Sequence, residues 1–590
     1  MRRSAALASL ASLVALTSFP ARPAAAGGLE YAGAGATALA RGGAVTARAD
    51  DPMVLSYNPA GLAELRGSQL LIDVNIASMH ACVDPIGYYG WGVYGGGQPV
   101  RFTEPGTQRQ QILNLGVPDK LGRAESAYYN GQLDTVCMQQ HLMPVPQLAV
   151  TGRLSEKLGI GFGLVFPAAT PQGQWGDNNG LVHDSAGNLR PAATRYMLRD
   201  AGTLGIFPTF GAGYRLTRWL RVGAAVEWGM VWVDSTTTAA LQPGTGPDGD
   251  IVAHVKARDL FVPGATFSVH MVPNDRWDLV AAFRYQDSVH APGSVTLTTG
   301  EYYAQALARS TRLDVLDVTQ NMPWKLRAGI RYSDRLAPRP TGTGGGELSM
   351  GKTLHDPMQD ERWDAELDLE YQINSRNQAQ TVEYRQHQTL AFVNHTGAVN
   401  SVQFPDPTQP ATRIDKRWKD QISARLGGSY NVLPGLLALS AGVHYENRGV
   451  DPSYMQIDYW PVQRVGLHGG LTIRVAGTTD LVFSYAHMIQ ETIVVGAPLH
   501  EEASDIYTRY VAGGQITTID KRVGTQLTLA QRPPIKYENG GVSDGPAGDG
   551  RAKLVQVVTK TSADHPPWIV SSGSYRSGID VVAIGVHSHF

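Results

Sequence analysis

The chain has 590 residues, of which 17% are charged, with a formal net charge of −2 and a pI near 6.8. That balance lacks the basic footprint needed to neutralise phosphates, which excludes nucleic acid as a partner. Past Ala26 no apolar run reaches the roughly 18 residues a spanning helix needs, so a membrane-embedded form of this chain must be a β-barrel; 66 Gly, 24 Tyr and 11 Trp suit short strands, tight turns and aromatic girdles.

At the N-terminus, Arg2 and Arg3 precede an apolar stretch from Ala5 to Leu16, followed by Pro20 and the small residues Ala24, Ala25 and Ala26. This is the pattern of a secretory signal peptide over residues 1–26, and the apolar run is too short for an anchor. The mature chain is then exported into an oxidising compartment.

Downstream the signal is period two. In Trp277–Asp287, Trp277, Leu279, Ala281, Phe283 and Tyr285 share one face while Asp278, Arg284 and Gln286 share the other. Trp324, Leu326, Ala328, Ile330 and Tyr332 alternate in the same way with Lys325, Arg327 and Arg331, and Ala365, Leu367, Leu369 and Tyr371 with Asp364, Glu366, Asp368 and Glu370. Aromatic residues at the ends of the apolar face belong where strands meet headgroups. The expected fold is an all-β, 14-stranded antiparallel transmembrane barrel with strands starting at about 68, 143, 158, 205, 220, 257, 277, 323, 363, 421, 435, 464, 479 and 579.

Short turns at Ser155–Lys157, Leu216–Arg218, Pro273–Arg276, Leu433–Gly435 and Ala476–Thr479 alternate with long connections, as periplasmic turns alternate with extracellular loops. Arg335–Arg362 breaks the alternation: a long Gly- and Pro-rich connection where a short turn is due. The last strand places Val582, Ile584, Val586 and the terminal Phe590 on one face, a C-terminal aromatic of the kind barrel-assembly machinery reads. Cys82 and Cys137 stand at the two feet of the first long loop, placed to close it as a disulfide.

Residues 28–65, GLEYAGAGATALARGGAVTARADDPMVLSYNPAGLAEL, carry no strand pattern. Their Gly/Ala run, the Ala49-Asp50-Asp51 step and the Asn58-Pro59-Ala60-Gly61-Leu62 motif closely resemble the N-terminal hatch of the FadL-type family, outer-membrane transporters of long-chain fatty acids and aromatic hydrocarbons. Family-like stretches also begin at His141, Leu204 and Met322 and cover Gly442–Val475, so the resemblance spans the mature chain outside the loops. It implies a hatch over residues 27–66 plugging the lumen, with Asn58, Pro59 and Ala60 in the hatch motif, and a barrel over 67–590.

It also implies passive transport of hydrophobic compounds, captured at the loops, held above the hatch and released sideways at strand three. In Leu158–Pro167, Ile160, Phe162, Leu164 and Phe166 are expected to face lipid and Gly159, Gly161 and Gly163 the lumen, with Pro167 removing a ladder donor. Gly159, Gly161, Gly163 and Pro167 form the candidate lateral gate; the alternative is that these glycines merely make room for the hatch. The facing basic and acidic rows satisfy each other across a ladder, with carboxylate binding as the lesser alternative. The pair His587 and His589 lacks a third metal ligand. No catalytic constellation or cofactor motif stands out, so a non-enzyme is expected. Its partners would be outer-membrane lipid and lipopolysaccharide, a hydrophobic small molecule and, during biogenesis, the assembly machinery. The competing reading is a surface structural or adhesive barrel that binds a partner through its long loops.

Overall fold

The computed structural model describes residues 33–85 apart from 66, 135–166 apart from 140–141, 173–240 and 356–495 with short breaks, 250–299, 309–339, 573–590, and a few short strands between. Residues 1–32, including the signal-peptide segment, and Pro167 lie outside the described residues.

Fourteen strands close into an antiparallel barrel. They are β1 Ser68–Pro85, β2 Met143–Arg153, β3 Leu158–Val165, β4 Asp200–Arg215, β5 Leu220–Ala240, β6 Asp250–Asn274, β7 Trp277–Gln286, β8 Trp324–Arg335, β9 Glu361–Ile373, β10 Gln421–Leu433, β11 Leu437–Glu446, β12 Arg464–Arg474, β13 Thr479–Gln490 and β14 Gly573–His589. Closure comes from β1 pairing with β14 from Gln69↔His589 to Pro85↔Gly573. The terminal Phe590 extends that seam: its N–H donates to the Ser68 carbonyl at 2.8 Å while its ring stays exposed on the outer face.

The strand pattern expected from the sequence is present, but several strands are longer. β4 begins at 200 rather than about 205, β6 at 250 rather than 257 and β14 at 573 rather than 579. Beyond the short-turn half, β6 pairs with a strand at Val289–Thr299, which continues through Arg309–Gln320 and Ala379–Tyr384 to Ala411–Asp415 as a raised wall. Cys82 and Cys137 sit opposite each other in the ladder between β1 and Val136–Gln139 and are joined as a disulfide.

Face polarity inverts along the strands. In the short-turn half the inward residues are polar, such as Asp73 and Asn75 of β1, Ser268 and His270 of β6, and Asp480 and Ser484 of β13. Large apolar residues such as Ile72, Phe267, Leu367, Leu467 and Ile584 stand exposed outside. In the long-connection half the inward residues are Met79, Val83, Ala253, Val255, Met488 and Tyr575, all buried in one cluster, and outward positions carry His80, Asp84, Lys256 and Arg576. The exposed apolar belt runs around the barrel, far beyond the few hundred Å² that a water-soluble monomer exposes in one patch.

Candidate functional site

Residues 33–65 fill the polar half of the lumen. Small residues let this segment fold as two short helical turns, Ala36–Ala40 and Val54–Tyr57, and a 3-10 turn, Pro59–Ala63, without overfilling the bore. Nearly every anchor runs from the plug to an inward polar residue of the wall. Asp73 accepts from the Ala36 N–H at 2.7 Å, and the Ser484 hydroxyl donates to the Ala36 carbonyl at 2.9 Å. His468 donates from Nδ1 to the Leu39 carbonyl at 2.7 Å, a contact that fixes its tautomer because a carbonyl only accepts.

The acidic row of β9 receives the middle of the plug. Arg41 makes a two-pronged pair with Asp364, and the N–H groups of Val45 and Thr46 donate to Asp368 at 3.0 and 2.9 Å while that of Ala47 donates to Glu366 at 2.6 Å. The rows of β8 and β9 also pair with each other: Arg331 bonds Asp364 and Glu361, and Arg327 bonds Glu370. The structural reading of these rows is thus accompanied by a second role that sequence reasoning missed, since Arg41 and Arg48 lie more than three hundred residues from their partner Asp364.

In the motif at the end of the plug, fully buried Asn58 donates from its amide to the Thr46 carbonyl at 3.0 Å, Pro59 opens the 3-10 turn, and the Ala60 N–H donates to Ser268 Oγ at 2.8 Å. A Cβ on Gly223 of β5 would lie 2.2 Å from the Ala60 nitrogen, so only glycine lets the backbones approach this closely. Glu64 then bonds Arg221, Arg215 and Arg339. Burial would raise its pKa, but the guanidinium groups of Arg339, Arg221 and Arg215 outweigh that and hold it far below the usual carboxylate range.

Arg339 belongs to the long connection between β8 and β9, which this contact ties under the plug. It bridges Glu64 to Asp278 of β7, while Asp356 near the other end of the same connection pairs with Arg474 of β12. The segment that broke the loop alternation is therefore fastened at both ends to the short-turn mouth.

Along β3 the glycine face meets the plug. A Cβ on Gly159 would come within 1.9 Å of the Leu62 carbonyl oxygen, and Cβ atoms on Gly161 and Gly163 would touch the Leu62 and Leu55 side chains. β3 is paired on both sides, with β2 from Gly159 to Leu164 and with β4 from Leu158 to Val165. Past Val165 the situation changes. Among the described residues, Met143–Gln147 of β2 pair with β1 but have no partner from β3.

Phe166 follows Val165, the last residue of β3. It lies past the strand end, held by the Gln147 side chain, which accepts from its N–H at 3.2 Å and donates to its carbonyl at 3.3 Å, and it lines a chamber above the plug. The β2 edge at this level has few donors to leave unpaired. The Arg153 N–H points to β1 and that of Leu154 to β3, so by alternation the nitrogens of Pro144 and Pro146 face the β3 side, where proline has no N–H to satisfy. The chamber is polar: Arg284 forks onto Glu227 at 2.8–3.2 Å, and Arg425 and Arg327 share Glu370.

His587 and His589 do not converge, the first bonding Asp73 and the second Asp480. Among the described residues no group of three or more His, Cys, Asp or Glu could hold a metal ion.

No protein-family model matches the chain, and no curated protein sequence does. Solved structures do. A FadL homologue from Pseudomonas aeruginosa superposes with a TM-score of 0.57 at 12% identity, covering 96% of this chain and 100% of that one. The Pseudomonas putida toluene transporter TodX gives 0.47 at 13% identity over 95% and 99% of the two chains, and the Ralstonia pickettii toluene transporter TbuX gives 0.46 at 12% over 95% and 98%. At these identities the likeness is one of architecture, and it rests on the first of the three. The chain has the fold of the FadL-type proteins, a closed antiparallel barrel of 14 strands.

Proposed function

We propose that this protein sits in the bacterial outer membrane and passes hydrophobic compounds through its wall, with residues 33–65 as the hatch that blocks the direct route. The observation that carries the reading is the conjunction at the end of β3: a chamber above a firmly anchored plug, next to a β2 edge whose donors proline has removed. A polar pore offers a greasy solute nothing, because burying apolar surface gains it roughly 25 cal/mol per Å² and water-filled space gains none. A side exit into hydrocarbon supplies that gain, and backbone facing lipid is tolerated only where its polar groups are satisfied or absent. Pro144 and Pro146 meet that condition on one lip of the opening.

In this reading the exit lies past Val165 and in the direction of Pro167, while Gly159, Gly161 and Gly163 serve by letting the hatch lie against the wall beneath it. The described ends of the connection between β8 and β9 are fastened at the short-turn mouth through Arg339 and Asp356, which agrees with a lateral route. The apolar belt meets lipid and lipopolysaccharide, and the zipped Phe590 seam is the part read by the assembly machinery. A purely adhesive barrel would leave the chamber and the proline edge without a purpose.

The test is organic-solvent extraction of the purified barrel followed by mass spectrometry, beside a control barrel in the same detergent, together with uptake in a deletion strain. Enrichment of fatty acids or hydrocarbons and a lost uptake phenotype are expected. No enrichment and unchanged uptake would remove the transport reading.

A further inference from the structure

The connection between β11 and β12 does not stand away from the barrel as loops ordinarily do. From Asn447 to Gln463 it folds into the apolar half of the lumen, burying Val450, Tyr454, Met455, Ile457, Tyr459, Trp460 and Val462. It reaches across the mouth. On one side the Tyr459 hydroxyl donates to Gln320 at 3.3 Å and its ring meets Trp418 edge-on at 5.6 Å, while Lys416 bonds Gln456 at 2.7 Å and pairs with Asp458. On the other, Trp460 enters a slot between two buried rings of other segments.

That slot has a defined shape. The Trp460 indole lies nearly parallel to Trp175, with centroids 6.2 Å apart and planes at 12°, and edge-on to Tyr575 at 6.0 Å and 63°. Trp175 and Tyr575 are almost fully buried. The Trp460 indole N–H donates to the Ile457 carbonyl of its own segment at 3.2 Å, so the ring keeps that hydrogen bond on leaving the slot when Ile457–Trp460 moves as a unit. Trp175 itself ends the short strand Gly173–Trp175, which pairs with the start of β4 on the same side of the barrel as the end of β3. The slot therefore lies in the apolar half of the lumen, on the side where β3 ends.

We propose that the slot between Trp175 and Tyr575 is a binding site for a flat apolar ring system, held shut by Trp460 occupying the ligand's place, and that such a ligand gains the lumen by displacing it. The inference rests on the transport reading and specifies where the solute first binds and which shape is favoured. Stacking and edge contacts reward a planar ring over a flexible chain of equal carbon number, because the two walls present one face and one edge. Removing the resident indole should relieve the competition and tighten binding, whereas removing the Trp175 wall should abolish that gain.

The experiment is equilibrium dialysis of radiolabelled naphthalene, with decane as the linear counterpart, against the full barrel in lipid nanodiscs, blanked with empty nanodiscs. Trp460→Ala is expected to bind naphthalene about tenfold tighter, with decane little changed, and Trp460→Ala/Trp175→Ala to lose the gain. Heat-modifiable electrophoretic mobility confirms folding of each variant, and Trp460→Phe, which keeps a ring in the slot, should stay near the parent. Folded Trp460→Ala with unchanged or weaker naphthalene binding, or with an equal gain for decane, overturns the slot. In that case persistent cellular uptake and co-purified hydrophobic compounds would leave the transport reading standing, whereas their absence would remove both.

Discussion

Arg41 of the plug and Asp364 of β9 form a two-pronged ion pair, Nη2 to Oδ2 at 2.6 Å and Nη1 to Oδ1 at 2.9 Å, with both side chains buried. Fork geometry is the strong form of this interaction. Asp364 also receives Arg48 and Arg331, so plug and wall share one charge network. Breaking a buried pair by deleting one partner costs about 3–5 kcal/mol, because the charge left behind stays out of water. Arg41→Met should therefore loosen plug docking by an amount of that order while leaving the strand ladders intact. In planar bilayers the variant should show higher ion conductance with unchanged heat-modifiable mobility; parent-like conductance would mean that the pair does not hold the plug.

Plug docking should also depend on pH through Asp51. Burial and the neighbouring Asp50 carboxylate push its pKa up to about 6, with Asp73 adding to the rise and His587 and the Met53 N–H opposing it. An exposed Asp titrates near 3.9. The docked plug then binds more protons than the free one between about pH 4 and 6, so this group's contribution favours docking at low pH and weakens it as pH rises through about 6. Glu64 works in the opposite sense, but its folded pKa is so depressed that its contribution is retained down to pH values well below that window. Asp51→Asn should raise hydrogen-exchange protection of residues 53–58 at pH 7.5 and leave it unchanged at pH 4. Equal protection in parent and variant at both pH values would refute the assignment.

The proposed lateral exit makes a separate demand on Gln147. Its side-chain amide satisfies both backbone groups of Phe166 just where β3 leaves the ladder. Replacing it with leucine removes a donor and an acceptor, and each buried polar group left without a partner costs about 1–3 kcal/mol. The end of β3 should then shift to recover partners and lose the shape of the opening. Gln147→Leu is expected to cut uptake of hydrophobic solute severalfold without lowering barrel stability in proportion. Full uptake in a correctly folded variant would locate the exit elsewhere.

Much of this architecture was legible because alternation is a local signal. The runs around Trp277, Trp324 and Ala365 indicate their own outer and lumen faces, and neighbouring runs of opposite charge indicate which strands lie side by side. What stayed hidden depended on partners distant in sequence. Nothing near Asp364, Glu366 and Asp368 announces that they grip Arg41 and the backbone of Val45–Ala47 as well as the adjacent strand. Strand starts were placed late because the polarity of the two faces inverts above the apolar belt, so residues such as Val255 and Tyr575 obey the alternation with the faces exchanged. The connection between β11 and β12 carries a local signal of its own: Tyr454, Met455, Ile457, Tyr459, Trp460 and Val462 are too apolar for a solvated loop, and that composition alone argues for a segment folded inward.

The glycines of β3 admit a sharper distinction than bulky replacement at Gly161, whose Cβ would already lie 3.1 Å from Leu62 and would disturb hatch and wall together. A Cβ on Gly159 would sit 1.9 Å from the Leu62 carbonyl oxygen, backbone that cannot rotate away, whereas one on Gly152 of the adjacent β2 meets nothing within 4 Å. Both positions lie in paired strands and carry the same change in propensity, so they differ chiefly in what stands opposite. Gly159→Ala should therefore displace the plug, raising conductance and exposing residues 59–65 to hydrogen exchange, while Gly152→Ala behaves like the parent. If Gly159→Ala instead abolished solute uptake with the plug still protected, the glycine would belong to the exit itself, and the opening would have to be extended down β3 from Val165.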